Sequence, residues 1–386
     1  MTGHLADSWR RPQATRHFLL SMALLLAPHA GALETLADGF APDANDSVQA
    51  MAVQADGRIV VGGYFTTIGG QSRQRLARLD PDGSVDTDFA SNDVDDTVNA
   101  IVVQADGRIV IAGDFSGVGS HVRHAIARLN SDGSVDDTFS FDAGAPGEYI
   151  ALAVQPDGKL VAGGVFFPVG GSPINGLTRF MPDGSVDSSF HADQNGRVDA
   201  LLMQPEGRLV VGGMFLGGGG QLHGLVRLDV DGSADPTFNP DVDGPVDALA
   251  LQPDGKLVAG GQFIAVGGQP RNFVARLNAD GSLDAAFAPD VGSYVTALAL
   301  QPDGRLVLGG LFGMIDGQIH RFVARLDVDG HVDDAFDANA DNDVEALLVQ
   351  SAGKLLVGGR FTTIGGRTRG HLARLVDDDV FANGFD

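Results

Sequence analysis

The chain has 386 residues, 44% of them hydrophobic, with 54 Gly, no Cys and a formal net charge of −24. A charge this negative excludes partners that need basic surface, nucleic acid and anionic lipid among them. The lack of Cys excludes disulfides, thiolate metal sites and a cysteine nucleophile.

In chain order, residues 1–32 read first, as a secretory signal peptide. Arg10, Arg11 and Arg16 form a basic start, and Phe18 to Ala27 is an apolar run too short to span a bilayer. Ala30-Gly31-Ala32 is an A-x-A cleavage site. The Arg10-Arg11 pair lacks the nearby apolar pair of a twin-arginine signal, so general secretion is expected, to the periplasm or beyond the cell. Removing these residues takes away three Arg and one Asp, which leaves 23 basic against 49 acidic residues, or −26. No other segment is long and apolar enough for the membrane, so the mature chain is expected to have no span.

From residue 33 to 375 the sequence repeats. A segment close to V-x-A-L-x-x-Q-x-D-G-[RK]-[IL]-V-x-G-G-x-F recurs seven times, with its glutamine at Gln54, Gln104, Gln155, Gln204, Gln252, Gln301 and Gln350. The spacer behind it reads roughly A-R-L-x-x-D-G-S-x-D-x-x-F. A fixed period of about 49 residues means a repeat architecture. The fifth copy shows what each unit builds. Val246 to Gln252 is a first strand, Lys256 to Phe263 a second, Phe273 to Asn278 a third and Ser282 to Phe287 a fourth. The first strand is apolar on both faces and has to be covered on both sides. The two x-D-G turns suit three-residue hairpin loops with Gly in the left-handed region.

The hairpin register sets Arg78 opposite Asp86, and the same pair recurs in every later copy with a complete fourth strand. Opposite charges facing across strands contribute roughly 0.2–1 kcal/mol, and the set is read as structural. The recurring Phe at the ends of the second and fourth strands, such as Phe65 and Phe89, is expected to fill the gaps between sheets. Seven four-stranded antiparallel units predict an all-β fold, a seven-bladed β-propeller. Thr35 to Asp43 aligns with the fourth strand Ser282 to Asp290, so the ring is expected to close with an N-terminal strand. The tail, residues 376–386, aligns there too with Phe385 in the place of Phe287, but it lacks the D-G turn and the S-x-D.

The repeats, for example V-T-A-L-A-L-Q-P-D-G-R-L-V-L-G-G over Val295 to Gly310, resemble the delta-60 repeat, a bacterial β-propeller repeat of unknown function common in exported proteins. They are distantly similar to NHL-type repeats. The resemblance spans about residues 35–375 and implies no catalytic residue. The tail from Val380 to Asp386 resembles F-x-[ND]-G-F-[ED] endings of some exported proteobacterial proteins.

Function is expected where the copies differ. The x-D-G face is nearly invariant, whereas the loops from strand two to strand three vary, and binding residues concentrate in loops on a rigid frame. One loop register holds Arg73, Arg123, Arg271, His320 and Arg369, and the next holds Gln74, His124, Asn175, His223, Asn272 and Arg321. A broken ring of Arg, His and amide side chains can bind carboxylates or sugars through forked hydrogen bonds. The alternative is a solvated loop face whose arginines pair with Asp46, Asp93, Asp95, Asp243, Asp290 or Asp343. D-x-D-G-S-x-D runs, such as Asp80 to Asp86, resemble calcium loops superficially, but Asp86 is committed to Arg78 and no closing Glu is present, so turn chemistry is preferred over calcium.

No H-E-x-x-H, G-x-S-x-G or G-x-x-x-x-G-K-[ST] occurs, and no catalytic residue or cofactor is assigned. The expectation is a non-enzymatic recognition or scaffold module, a monomer whose partner is an extracellular or cell-surface glycan or protein. The other reading is a carbohydrate-active hydrolase or lyase at the mouth of the central channel. That reading requires convergent titratable groups with displaced pKa values there.

Overall fold

A computed structural model describes residues 39–90, 93–139, 147–166, 176–192, 195–216, 222–350 and 353–376. The signal-peptide segment, Thr35 to Asp38, Asn175, the run Gly217 to Gly220 and the tail from 377 lie outside the described residues.

Every repeat folds as the antiparallel sheet its alternation demands. In blade 1, Val48–Val53 pairs with Ile59–Gly63, which pairs with Leu76–Leu79. The same three-strand order recurs in all seven blades, and no helix occurs among the described residues. The protein is an all-β, seven-bladed propeller. The first strand of each blade packs against the first strand of the next, and that of blade 7 (Val344–Val349) packs against that of blade 1. The first strands therefore stand innermost, around the axis, with the third strands outward.

The fourth segment differs from the expected strand. It is joined to the third strand by a single bridge, Leu79↔Val85 in blade 1 and Leu277↔Leu283 in blade 5. The reason is the recurring Asp. Its carboxylate caps the backbone two residues on (Asp86 Oδ1 accepts from Asp88 N at 2.9 Å), which turns the chain inward after one pair. That turn delivers the recurring Phe to the gap between blades, where Phe89, Phe139, Phe238, Phe287 and Phe336 are buried.

The Arg–Asp register is as read from the sequence, and the pair is buried. Arg78 is 4% and Asp86 5% exposed, and Arg78 Nε donates to Asp86 Oδ2 at 2.7 Å. The guanidinium lies 4.5 Å over the Phe89 ring. Its Nη1 reaches into the next blade, to a carbonyl of the x-D-G turn: Arg128 meets Pro182 O at 2.5 Å, Arg227 meets Ala279 O at 2.7 Å and Arg276 meets Val328 O at 2.5 Å. These arginines thus fasten one blade to its successor, and Arg374 of blade 7 bonds Pro81 O of blade 1.

Phe40 occupies, beneath Arg374 (4.4 Å) and against Gly83, the place that Phe89 takes beneath Arg78 and against Gly133. Residues 39–43 carry no strand assignment. The seven hydrophobic clusters are shared between adjacent blades; one of them joins Phe40, Val48 and Phe65 to Leu356 and Leu372 of blade 7.

The Gly-Gly doublet answers to two close approaches. A Cβ on Gly62 would lie 2.6 Å from Val98 Cγ1 of the next blade, and one on Gly63 would lie 2.1 Å from Ser47 O. The second approach arises because the first strand bulges there.

Candidate functional site

The bulge recurs in every blade. The pairing register slips between Val48 and Ala50, and likewise at Val98/Ala100, Tyr149/Ala151, Val198/Ala200, Val246/Ala248, Val295/Ala297 and Val344/Ala346. A bulge leaves one residue unpaired and re-aims its side chain. The residues so placed are Gln49, Asn99, Ile150, Asp199, Asp247, Thr296 and Glu345. They occupy the variable-face end of the innermost strands, around the mouth of the channel, and no two neighbouring blades share the same residue except at Asp199 and Asp247. The residues just after the second strands, at the same end, also differ, as Tyr64, Asp114, Gln262, Leu311 and Arg360 show.

These two positions pair within blades. Asn99 Nδ2 donates to Asp114 Oδ1 at 3.2 Å, Gln262 Nε2 to Asp247 Oδ2 at 3.0 Å, and Arg360 Nε to Glu345 Oε1 at 2.9 Å. Arg197, just before the bulge of blade 4, donates to Asp199 Oδ1 at 2.6 Å. Glu345 also accepts from Ser47 Oγ across the junction of blades 7 and 1. Beside it, Asp343 is half-buried, and its backbone carbonyl accepts from Arg360 N at 2.8 Å. Burial, then the Glu345 charge, push the Asp343 carboxyl above its ordinary value, against the pull of Arg360.

The loop residues singled out in the sequence are placed differently. Arg73, Arg123, Arg271 and Arg369 each fold back to donate Nη1 to the carbonyl of the preceding residue. Arg123 Nη2 also reaches Asp137 at 2.7 Å and Arg271 Nη2 reaches Ala285 O at 3.1 Å, both in the fourth segment of the same blade. His320 takes that place in blade 6, 7% exposed and 4.0 Å from Asp334. The side chains of Arg123, Arg271 and His320 therefore lean toward the fourth segment of their own blades.

The second register is a seam. Gln74 O accepts from Val94 N, Asn272 Nδ2 donates to Asp290 Oδ1 at 2.8 Å, and Arg321 N donates to Asn339 Oδ1 at 2.6 Å, each contact reaching the connection to the next blade. His124 O accepts from Ile126 N, and His223 lies within a strand, Leu222–Leu228, opposite Phe215. No hydrogen bond or ion pair among the described residues joins two members of the predicted set.

The neighbouring aspartates do not hold these arginines either. Asp243 and Asp95 instead cap the backbone of the strand two-to-three hairpins, at Ile264 and Ala265 and at Ser116. On the opposite face Asp82 Oδ1 accepts from both N and Oγ of Ser84, and these bonds hold its carboxyl below its ordinary value. In the runs at Asp80 and Asp229 the second carboxylate, Asp82 or Asp231, is engaged by its own turn and the first by an arginine, Arg58 or Arg208. Among the described residues, one group has metal-ligand spacing: Asp327, Asp329 and His331, in the blade 6 turn where His331 replaces the recurring Ser. There Asp327 Oδ1 already accepts from the N–H of Asp329 and of His331, both at 2.9 Å.

The family model for a β-propeller domain of unknown function, DUF5122, matches residues 54–89, 104–139, 155–190, 204–238, 252–287, 301–336 and 350–377. The chain belongs to the DUF5122 β-propeller family. The repeats compared above with delta-60 units are, in this chain, DUF5122 repeats. None of the curated proteins matches the sequence.

Among solved structures, the chain is similar to the extracellular domain of BT4673 from B. thetaiotaomicron, described as a one-component system, at 14% identity and TM-score 0.54 over 85% of this chain. The match covers 38% of that domain, so the DUF5122 chain corresponds to well under half of it. It is also similar to virginiamycin B lyase from Staphylococcus aureus (9% identity, TM-score 0.56, 87% of this chain and 98% of that one). The WD40 propeller domain of Doa1 matches at 13% identity and TM-score 0.57, over 89% of this chain and 98% of that one. Likenesses at these identities establish the fold alone. No helix among the described residues is long and apolar enough to cross a membrane.

Proposed function

We propose that this DUF5122 propeller is an exported recognition module whose ligand, a glycan or protein outside the cytoplasm, is read at the variable-face mouth of the central channel. The observation that carries this reading is the bulge. Seven blades repeat the same backbone device, which re-aims a side chain around the axis, and the sequence varies there while the surrounding strand repeats. A rigid scaffold that holds variable side chains is the arrangement binding sites favour. Export rests on the basic start, short apolar run and A-x-A site of residues 1–32.

The test is a glycan array and an extracellular-protein pull-down on the purified protein, with and without calcium. Substituting the bulge residues Gln49, Asn99, Asp247, Thr296 and Glu345 together with Ala is expected to abolish the binding found, while Ala at Arg73, Arg123, Arg271 and Arg369 leaves it. The reverse pattern returns the site to the loops.

A second reading has one observation in its favour. Asp343, raised above its ordinary value beside Glu345, is the kind of displaced carboxyl that a saccharide-cleaving hydrolase or lyase needs. Turnover of a polysaccharide that disappears in Asp343→Asn with binding retained would favour catalysis over recognition.

A further inference from the structure

The chain has three Tyr and one Trp, Trp9. Among the described residues the exposed aromatic side chains are Tyr64, at 36%, and Tyr294, at 38%. Both lie at the variable-face end of their blades. Tyr64 follows the second strand of blade 1, and its N–H bonds Ser47 O at 2.9 Å. Tyr294 precedes the first strand of blade 6, Val295–Leu300, and its ring packs edge-on against Phe273 of blade 5 with centroids 5.6 Å apart.

Blade 7 stands between them and contributes Asp343, Glu345 and Arg360. Glu345 is held by Ser47 and Arg360. No side chain among the described residues donates to the Asp343 carboxylate. Arg360 is exposed, with its Nε on Glu345. The variable face over blades 6, 7 and 1 therefore presents two tyrosine rings with polar tips, one carboxylate to which no described side chain donates, and one guanidinium beside it.

We propose that this sector is a subsite for a neutral saccharide, its pyranose C–H face laid on Tyr64 or Tyr294 and its hydroxyls shared between Asp343 and Arg360. A sugar is amphipathic in the required way: its hydroxyls both donate and accept, and its axial C–H groups need an apolar platform. The two carboxylates, on a chain of net charge −24, disfavour uronates and other anionic sugars. The inference rests on the channel-mouth reading above and narrows it to a ligand class and three blades.

Titration calorimetry of the purified protein with cellohexaose, maltohexaose, mannohexaose and hexagalacturonate tests it. At least one neutral hexasaccharide is expected to bind and the galacturonate is not. Tyr64→Ala, Tyr294→Ala and Asp343→Asn, each with an unchanged unfolding midpoint, are expected to weaken binding at least tenfold. Tyr64→Phe and Tyr294→Phe are expected to retain it, because the ring face is the platform.

Binding unchanged in all three variants, but lost in Asp247→Ala or Gln262→Ala, overturns the subsite and leaves the channel-mouth reading standing. Binding that responds only to Arg73, Arg123, Arg271 and Arg369 overturns both. Preference for the galacturonate, or binding of no neutral saccharide, overturns the subsite.

Discussion

Replacing Arg128 by Met probes the fastening between blades. Arg128 and Asp136 are 3% and 4% exposed and meet at 2.7 Å. The substitution keeps the length of the stem but removes that bond, the bond to Pro182 O of blade 3 at 2.5 Å and the stack 4.7 Å over Phe139. Breaking a buried pair from one side costs about 3–5 kcal/mol, because a charge is left without its partner. Here Thr138 N and Oγ1 still donate to Asp136, at 2.9 and 2.6 Å, and Arg108 Nε stays at 3.4 Å. The cost should therefore fall near the low end, about 3 kcal/mol.

The measurement is the guanidinium unfolding midpoint at constant slope. Changing Asp136 to Asn in the same chain removes the stranded charge, keeps the Oδ1 acceptor for Thr138 N and Oγ1, and is expected to recover about 1 kcal/mol. A loss below about 1 kcal/mol for the single variant, or a double variant weaker than the single, would refute a buried fastening and return the pair to the cross-strand surface value.

Three further outcomes follow from the same geometry. Burial raises the carboxyls of Asp86, Asp136 and Asp284, but their hydrogen bonds and arginines outweigh it, and Asp235, held first by the Thr237 hydroxyl, is lowered to about 2. Carboxyls depressed in the folded state stabilise fully above the unfolded value near 4 and lose that contribution as pH falls through the folded value, so the midpoint should drop steeply from pH 4 to 2, less so in Asp235→Asn. Gly310→Ala sets a Cβ 2.1 Å from Tyr294 O and is expected to cost about 1–3 kcal/mol and to weaken binding at the mouth, while Gly313→Ala, with nothing within 4 Å, changes neither. If the N-terminal segment closes the ring, Phe40→Ala should cost about 3–5 kcal/mol, the same as expected for Phe89→Ala, and a cost under about 1 kcal/mol for Phe40 alone would assign that role elsewhere.

The fold was legible because each repeat states its turns twice and its strands three times. The register of Arg78 on Asp86 could be counted from the length of the turn at Pro81-Asp82-Gly83. Two things were not countable. Alternation along Ser282 to Phe287 looks like a strand, yet one Asx cap at Asp284 turns the chain after a single bridge. Charge at Arg73 and Arg123 also suggested a binding ring, but sequence does not say which way a loop arginine folds, and these fold onto their own hairpins. The channel mouth did leave a trace, the variable x of V-x-A-L. Strand positions read as packing, and only the paired registers reveal a bulge there.

Hydrogen exchange of the protein, free and saturated with a ligand selected by the array, would decide where recognition occurs. Protection is expected at residues 47–49, 64, 294–296, 343–345 and 360, at the inner ends of the blades. Protection confined to the hairpins at 67–74, 117–124 and 265–272 would contradict the channel-mouth site.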